Sequence, residues 1–472
     1  MSLINLLRKD DRMSDGTQYI FETVLYTAIR DEVVIDLKNI VAELNIFEDL
    51  NKSYLTGSIV LVDDTGVMSD VKIKGDEGLR IIISKNPNIG EYDSYFQLDF
   101  KVVSIVRQFK NADRSEVYSL NLISKHAYDN SVVKISKSFS GKLEKISESI
   151  LKNFLGVKLL MDEKYYDAKA GSDQEPIKIL LPYLSPLESV DWLTERATDR
   201  WGTPFFIWAS IWGQDMSEDT SLRLGNFMTM VKEGINVAST KPPEDDFIYD
   251  QVTTNVKSSE GYEGAKHIIK NLKFSNIENT LKMVKEGAVG STIANLDTYT
   301  SQNISKLFSA NKLLESLNAG EKGGKILSTV YDQKDVITLA SETKLTGYWS
   351  ARQRNTVSSY GTYASHNSIH DAIDESSLLN KVRPLSIRSM LSRNMLEINI
   401  DGIGLLEEKL SVGDIIKVRF LSADTDPDVP VGSNTERSGF YLIQSVRHIF
   451  GIERHNAVVF ISKVAETNIV DQ

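Results

Sequence analysis

The stretch LTGSIVLVDDTGVMSDVKIKGDEGLRIIIS, Leu55 to Ser84, decides the fold. Its first apolar run ends at Asp63-Asp64-Thr65-Gly66, which indicates a strand closed by a turn, because Asp and Gly accept the backbone angles that turns require. Gly75 and Asp76 then reverse the chain into a second apolar run, Leu79 to Ile83. Two strands joined by a polar connection predict an element of a β-sheet or β-barrel and not a helix.

The same arrangement recurs near the C-terminus. There MLEINI, Met395 to Ile400, leads through two glycines to VGDIIKV, Val412 to Val418. Both copies carry a Gly-Asp pair just before a strand, Gly75-Asp76 in one and Gly413-Asp414 in the other. These four residues are the candidate structural turn residues, and we expect the two glycines to occupy equivalent positions.

Two further segments match in the same order. The segment VSIVRQF, Val103 to Phe109, resembles QSVRHIF, Gln444 to Phe450, and each copy closes on Ile-Ser-Lys, at residues 123–125 and 461–463. Matching segments in one order at both ends predict an internal duplication. The alternative is that two antiparallel hairpins share turn residues by chance.

The first copy also resembles a known family. With Gly57 ahead of one strand and Gly75-Asp76-Glu77 ahead of the next, it is similar to the first barrel of the baseplate hub protein of contractile-tailed phages of the T-even type. It is also similar to the N-terminal half of the spike proteins of contractile secretion machines. The resemblance implies two related barrels in each chain and a homotrimeric ring of pseudo-sixfold symmetry, which joins a six-fold tail tube to a three-fold spike.

The resemblance also implies partners and a location. The expected partners are the tail spike protein, the tail tube protein and baseplate wedge proteins, and DNA would pass through the lumen without specific binding. The expected location is the tail baseplate of the virion, after assembly in the host cytoplasm. No enzymatic activity and no cofactor are expected.

Composition limits the classes of protein that fit. The 472 residues suggest three or four domains, and 41% hydrophobic and 25% charged residues are typical of a globular protein. The net charge of −11 is spread along the chain and disfavours nucleic-acid binding, which needs clustered Lys and Arg. The absence of cysteine excludes disulfides and thiolate chemistry, and no run approaches the roughly 20 apolar residues of a membrane span.

The predicted fold is mostly β with α+β parts: two duplicated antiparallel β-barrel domains plus two α+β domains. We expect an N-terminal arm at 1–16, the first barrel at 17–130, an α+β domain at 131–240, a third domain with insertions and helices at 241–394, and the second barrel at 395–472.

Two short helices are predicted between Leu378 and Arg393, where Pro384 interrupts the pattern, and three further helices are predicted outside the barrels. Residues 140–156 place Leu143, Ile146, Ile150 and Phe154 on one face and end at a glycine. Ser185-Pro186-Leu187-Glu188 has the pattern of a helix start, with an N-cap Ser, a first-turn Pro and a Glu three residues after the cap. A third helix is expected from Ile304 to Leu317.

Four of the five tryptophans lie close together in the sequence, at positions 192, 201, 208 and 212. Aromatic faces stack on sugars, so the cluster could form a glycan platform. The alternative, which we prefer, is that the rings pack against one another in a core, because the segment is predicted to combine a helix with an apolar strand.

The remaining candidates for chemistry are weak. His366 and His370, near Asp371 and Asp374, have a spacing that fits one helical face, but the zinc-protease pattern is absent. His448 and His455 could approach across the last hairpin, yet no acidic residue at a suitable spacing accompanies them, so surface turn histidines are expected. The acidic residues at 63–64 and at 424, 426 and 428 lack the spacing of a calcium loop and are expected in turns.

The sequence therefore predicts a structural hub subunit of a contractile phage tail. One alternative is a glycan-binding or wall-degrading tail protein that uses the tryptophan cluster. Another is the spike protein of a secretion machine, which would normally continue into a long repetitive β-helix.

Overall fold

The structure of the chain is a computed structural model. The described residues are 19–26, 34–64, 66, 75, 77–85, 94–112, 115–168, 177–195, 197–212, 221–242, 245–249, 267–274, 285–297, 301, 303–318, 326–327, 353–358, 379, 382–393, 395–420, 437–451 and 454–466. Strands dominate, so the predicted mostly-β class with α+β parts is confirmed.

In the N-terminal part, the described residues form seven strands. They are β1 Tyr19–Tyr26, β2 Val34–Asp36, β3 Val41–Asp49, β4 Thr56–Asp63, β5 Gly78–Lys85, β6 Ser94–Ala112 and β7 Ser115–Ser124. A mixed region follows: α1 Lys125–Asn130, β8 Ser138–Gly141, α2 Leu143–Leu155, β9 Leu159–Leu160, β10 Ile177–Leu180, α3 Pro186–Thr194, β11 Phe205–Ala209, β12 Leu222–Asn226 and α4 Phe227–Thr240.

The second half of the chain adds two groups of elements. The first is β13 Phe247–Tyr249, β14 Asn271–Phe274, β15 Gly290–Asp297, β16 Asn303–Ser309, α5 Ala310–Asn318, β17 Gln353–Ser358 and α6 Arg383–Arg393. The last is β18 Met395–Asp401, α7 Gly402–Glu407, β19 Ile415–Phe420, β20 Gly439–Phe450 and β21 His455–Ala465.

One large sheet contains strands from both ends of the chain. Its order is β14-β18-β21-β20-β3-β4-β7-β6-β5-β1-β2, with β19 beside β20 and β13 beside β19. Both predicted barrel regions therefore share one sheet, which crosses from one to the other where β20 meets β3. The strands β13 and β14 come from the predicted third domain and extend the C-terminal part of this sheet.

A unit of four strands occurs twice in this sheet. The N-terminal unit, β4-β7-β6-β5, and the C-terminal unit, β18-β21-β20-β19, have the same order and are antiparallel throughout. The register of β6 on β7 shifts between Val102 and Ser104, and that of β20 on β21 shifts between Ile443 and Ser445. In both units a bulge thus falls directly before the two serines that the sequence comparison aligns. Strand β6 has further shifts after Ile105 and Lys110, and β20 has one after Phe440.

The strand entries of the two units also correspond. The Val102 N–H donates to the Glu77 carbonyl at 2.9 Å, and the Ile443 N–H donates to the Asp414 carbonyl at 2.9 Å. Glu77 and Asp414 each directly precede a strand of their unit, β5 and β19. The two units are therefore alike in strand order, in the bulge before the aligned serines and in these hydrogen bonds.

Two of the predicted helices form as expected. In α2, Leu143, Ile146 and Ile150 are buried, and Gly156 ends the helix in the left-handed conformation at φ +69°. In α3, Ser185 and Glu188 form a capping box in which the Ser185 N–H donates to the Glu188 carboxylate at 2.9 Å. The Ser185 hydroxyl also donates to this carboxylate, at 2.8 Å. These donors and Lys134 lower the pKa of Glu188 to about 2.

The third predicted helix, Ile304 to Leu317, is wrong in its first half. Residues 303–309 are strand β16, which pairs with β15, and only Ala310–Asn318 are helical. Ile304 and Leu307 fit a helical spacing with the later leucines. The ladder to β15 fixes the first half as a strand, since pairing with a neighbouring strand overrides local periodicity.

Candidate assembly site

The junction between the two repeated units is built from β3 and β20. Residues 445–450 of β20 pair antiparallel with residues 49–44 of β3, and the Leu50 N–H donates to the Gln444 carbonyl at 2.8 Å. The first part of β20 pairs with β19 of its own unit instead. A single strand therefore changes partner at its bulge and joins the units edge to edge. We call this pairing the internal junction.

A buried carboxylate lies in the internal junction. Glu48 of β3 is fully buried, and its Oε1 accepts the Ile211 N–H at 2.6 Å. The Ser411 hydroxyl lies 3.2 and 3.1 Å from the two carboxylate oxygens, and His448 Nε2 lies 3.5 Å from Oε2. The carboxylate lies on β3, which borders the N-terminal unit. It contacts the mixed region at Ile211 and the C-terminal part of the chain at Ser411 and His448.

The expectation that His448 and His455 are surface turn residues is wrong. Both side chains are fully buried, and His448 Nδ1 lies 3.1 Å from His455 Nε2. The His455 ring stacks on Phe450 at a centroid distance of 4.2 Å and an interplanar angle of 6°. The acidic neighbour comes from Glu48, about 400 residues away in the sequence, so no local spacing could have revealed it.

Burial, together with the neighbouring His448, holds the pKa of His455 well below its ordinary value. The unfolded chain takes up a proton at this histidine below pH of about 6.5, whereas the folded chain does not. We therefore expect the free energy of unfolding to fall as the pH is lowered from 7 to 5, by up to about 1.4 kcal/mol per pH unit from this group. Denaturant titrations at several pH values measure this slope.

The variant His455→Gln serves as the control for that prediction. It keeps a polar side chain that can face His448 but removes the titration of residue 455. A shallower slope in the variant supports the assignment to His455. An identical slope in both proteins would show that other groups set the acid sensitivity.

The predicted turn residues have tertiary roles where the structure describes them. Gly413 has φ +93°, and a Cβ there would lie 2.9 Å from Trp208, so the turn needs glycine for both conformation and space. The buried Asp414 carboxylate accepts the Tyr165 hydroxyl at 2.7 Å and lies 2.5 Å from Lys164 Nζ. Burial, followed by the Asp414 charge, raises the pKa of Tyr165.

The first Gly-Asp turn differs in detail. Gly75 has φ +96°, close to that of Gly413, and its N–H donates to Glu77 at 2.9 Å. Gly75 precedes Glu77 by two residues, whereas Gly413 precedes Asp414 by one. Asp76 lies outside the described residues. The equivalence of the two turns, residue by residue, stays a prediction.

The tryptophan cluster lies largely in the core. Trp208 and Trp212 are buried, and the Trp212 indole N–H donates to the Leu410 carbonyl at 3.3 Å. Trp192 and Trp201 are half-buried, and the Trp201 ring packs against Arg200 and Lys232. The buried rings offer no face to a sugar, which supports the core interpretation over a glycan platform.

The other candidates contribute little to a site. His366, His370, Asp371, Asp374 and the acidic residues at 424–428 lie outside the described residues. Asp63 is buried and accepts the Gly66 N–H at 2.9 Å, as a turn residue does. Among the residues that the structure describes, no group of three or more His, Asp or Glu side chains could hold a metal ion, and no helix is long and apolar enough to span a membrane.

One segment of β6 resembles β20 in sequence but carries exposed apolar side chains. Four of the large hydrophobic residues that are most exposed lie within one seven-residue segment of β6: Val103, Ile105, Val106 and Phe109. We call residues 103–109 the β6 edge. Sequence reasoning used this segment only as a repeat marker, since its apolar residues are as typical of a buried strand as of an exposed one.

The fold was compared with known proteins. No profile of a known protein family matches the chain, and no curated protein sequence does. Among solved structures, the 43 kDa tail protein of prophage MuSo2 from Shewanella oneidensis aligns with a TM-score of 0.49 and 12% identity, covering 94% of this chain and 98% of that chain. The tail protein from Neisseria meningitidis MC58 aligns with a TM-score of 0.49 and 10% identity, covering 96% and 97%.

A third solved structure is the Escherichia coli c3393 protein. It is described as a component of the type VI secretion system with structural similarity to the T4 tail proteins gp27 and gp5. It aligns with a TM-score of 0.40 and 9% identity, covering 90% of this chain and 73% of that chain. These structures come from two tail proteins and a component of the type VI secretion system.

Proposed function

We propose that this chain is a structural hub subunit of a contractile tail baseplate. Three copies form a ring that joins the tail tube to the central spike and lets DNA pass. The observation that carries the proposal is the repeated four-strand unit, with the same order and the same bulge at both ends of one chain. Two similar units in each of three subunits present six similar faces, which suits a junction between six-fold and three-fold partners.

The edge-to-edge joining of the units supports a ring. In the internal junction, β20 meets β3 side by side within one sheet, so the two units follow each other along a continuous hydrogen-bonded ladder. Units that continue in this manner from one subunit to the next close into a ring when the rotation between subunits divides a full turn. The net charge of −11 fits a lumen through which DNA passes without binding, because it disfavours adhesion to phosphates.

The test is the mass of the purified chain in solution, measured by light scattering alone and with the spike and tube proteins from the same tail. Three copies, alone or after addition of the spike protein, are the expected result. A chain that stays monomeric with every partner would contradict the ring and remove the function as a symmetry adapter.

A further inference from the structure

The β6 edge lacks the partner that its counterpart in the second unit has. Residues 445–450 of β20 lie between β21 on one side and β3 on the other. The corresponding part of β6 pairs with β7, and no other described strand pairs with it beyond the last contact of β5 at Lys101. Among the described strands, the first unit therefore leaves this edge unpaired at the place where the second unit forms the internal junction.

The side chains differ accordingly. Ile105 corresponds to Val446, because each directly follows the serine at the bulge. Ile105 pairs with Leu120 and Val446 with Val459, so the closing Ile-Ser-Lys triplets lie one residue out of register in the structure. Ile105 is 39% exposed and Val446 only 1%. Val106 and Phe109, at 52% and 50%, enlarge the apolar surface. An open, apolar strand edge is a template for pairing with another chain.

The second unit has an edge that corresponds to β3. Strand β14 pairs antiparallel with β18 as β3 pairs with β4, so that Leu272 faces Ile398 where Leu44 faces Ile59. Among the described strands, β14 pairs with β18 alone and ends the sheet. Asn271 and Lys273 of β14 are exposed. The described strands thus include two edges like that of β20 and two like that of β3, and the internal junction uses one of each.

We propose that the two remaining edges meet between subunits: the β6 edge of one copy pairs antiparallel with β14 of a second copy, as β20 pairs with β3. This inference rests on the proposed ring and gives it an interface. The contact joins two different surfaces, so the same contact repeats from one copy to the next. It closes into a ring of three when the rotation between copies is one third of a turn.

In the internal junction Ile449 faces Asn45. A second register shift in β6, between Ile105 and Arg107, displaces this strand by one residue. Phe109, which pairs with Val117, therefore takes the place of Ile449, which pairs with Asn456. Phe109 of one copy then faces Lys273 of the next.

The register gives a direct test. The chain has no cysteine, so the double variant Phe109→Cys/Lys273→Cys introduces the only two thiols. Mild oxidation is expected to produce covalent dimers and trimers on a non-reducing denaturing gel, and reductant should abolish them. The matched control is Phe109→Cys/Lys152→Cys, because Lys152 is an exposed residue of α2, outside the proposed contact. The control should give few such bands.

A second variant tests the edge without cross-linking. Ile105→Arg places a charge in the proposed interface but changes a side chain that is exposed in the single copy, so folding should be retained. It is expected to lower the mass measured by light scattering to that of one copy. Val132→Arg, at a residue that is 79% exposed and lies outside the edge, is the control and should leave the mass unchanged.

The outcomes separate this pairing from the ring itself. Covalent multimers in the first double variant, together with dissociation by Ile105→Arg, support the proposed pairing. A trimer that forms no specific cross-link and tolerates Ile105→Arg would overturn the pairing while leaving the ring intact. A monomer that neither assembles nor cross-links, with or without the spike protein, would overturn both.

Discussion

Replacing Trp208 with alanine is expected to lower the free energy of unfolding by about 3–5 kcal/mol, because a fully buried large side chain would leave a cavity. The indole packs edge-on against Tyr165 at a centroid distance of 5.3 Å. It also lies within about 3 Å of the positions where a Cβ would be at Gly225 and Gly413, so the indole leaves no space for a side chain at either glycine. Equilibrium denaturation followed by circular dichroism measures the loss.

Trp201→Ala is the matched control for this prediction. Trp201 is half-buried and packs against charged side chains, so its removal should cost clearly less than that of Trp208. Equal small losses in the two variants would mean that Trp208 is not a core residue and would reopen the glycan platform.

Replacing Glu48 with leucine is expected to cost about 2–5 kcal/mol, because it removes the acceptor of buried donors and leaves them unpaired. The Ile211 N–H, at 2.6 Å from the carboxylate, and the Ser411 hydroxyl would both lose this partner. Since these residues lie on different parts of the chain, the loss should appear as weaker attachment between the two units. Denaturant unfolding measures the cost, and limited proteolysis reports the attachment.

The control for Glu48 lies on the same strand. Glu43→Leu changes a half-buried carboxylate of β3 that accepts from Asn45 at 2.6 Å, a residue only two positions away. Its expected cost is smaller than that of Glu48, because only the Asn45 amide loses an acceptor, and Asn45 keeps its hydrogen bond from Arg447. If the two leucine variants were equally stable, Glu48 would not act as a connection in the internal junction.

Local signals in the sequence predicted local structure well. The capping pattern at Ser185 and Glu188 and the final glycine of α2 need only a few neighbouring residues, and both appear in the structure. The order of the repeated strands could also be predicted, because similar segments, such as VSIVRQF and QSVRHIF, occur in the same order at both ends of the chain. The alignment of Ser104 with Ser445 coincides with the bulge.

Long-range contacts were the limit. The burial of His448 and His455 depends on Glu48, and the strand β16 depends on its pairing with β15. Neither partner can be read from nearby residues, since strand pairing and burial are set by the tertiary fold. The same holds for the β6 edge, because a strand with apolar residues on both faces reads alike whether its neighbour belongs to the same chain or to another.

The internal junction also affects how the chain folds as it is synthesised. Asn45 and Arg447, which are hydrogen-bonded across the junction, are 402 residues apart. The N-terminal unit is therefore synthesised long before β20 emerges. Until then, among the described strands, the edge of β3 that later pairs with β20 is unpaired, in addition to the β6 edge. Non-local strand pairing is slow, and unpaired edges invite misassembly. A nascent chain in which β20 has not yet emerged is thus the form most in need of a chaperone. The final hairpin, β20 and β21, removes this need because β20 pairs with β3.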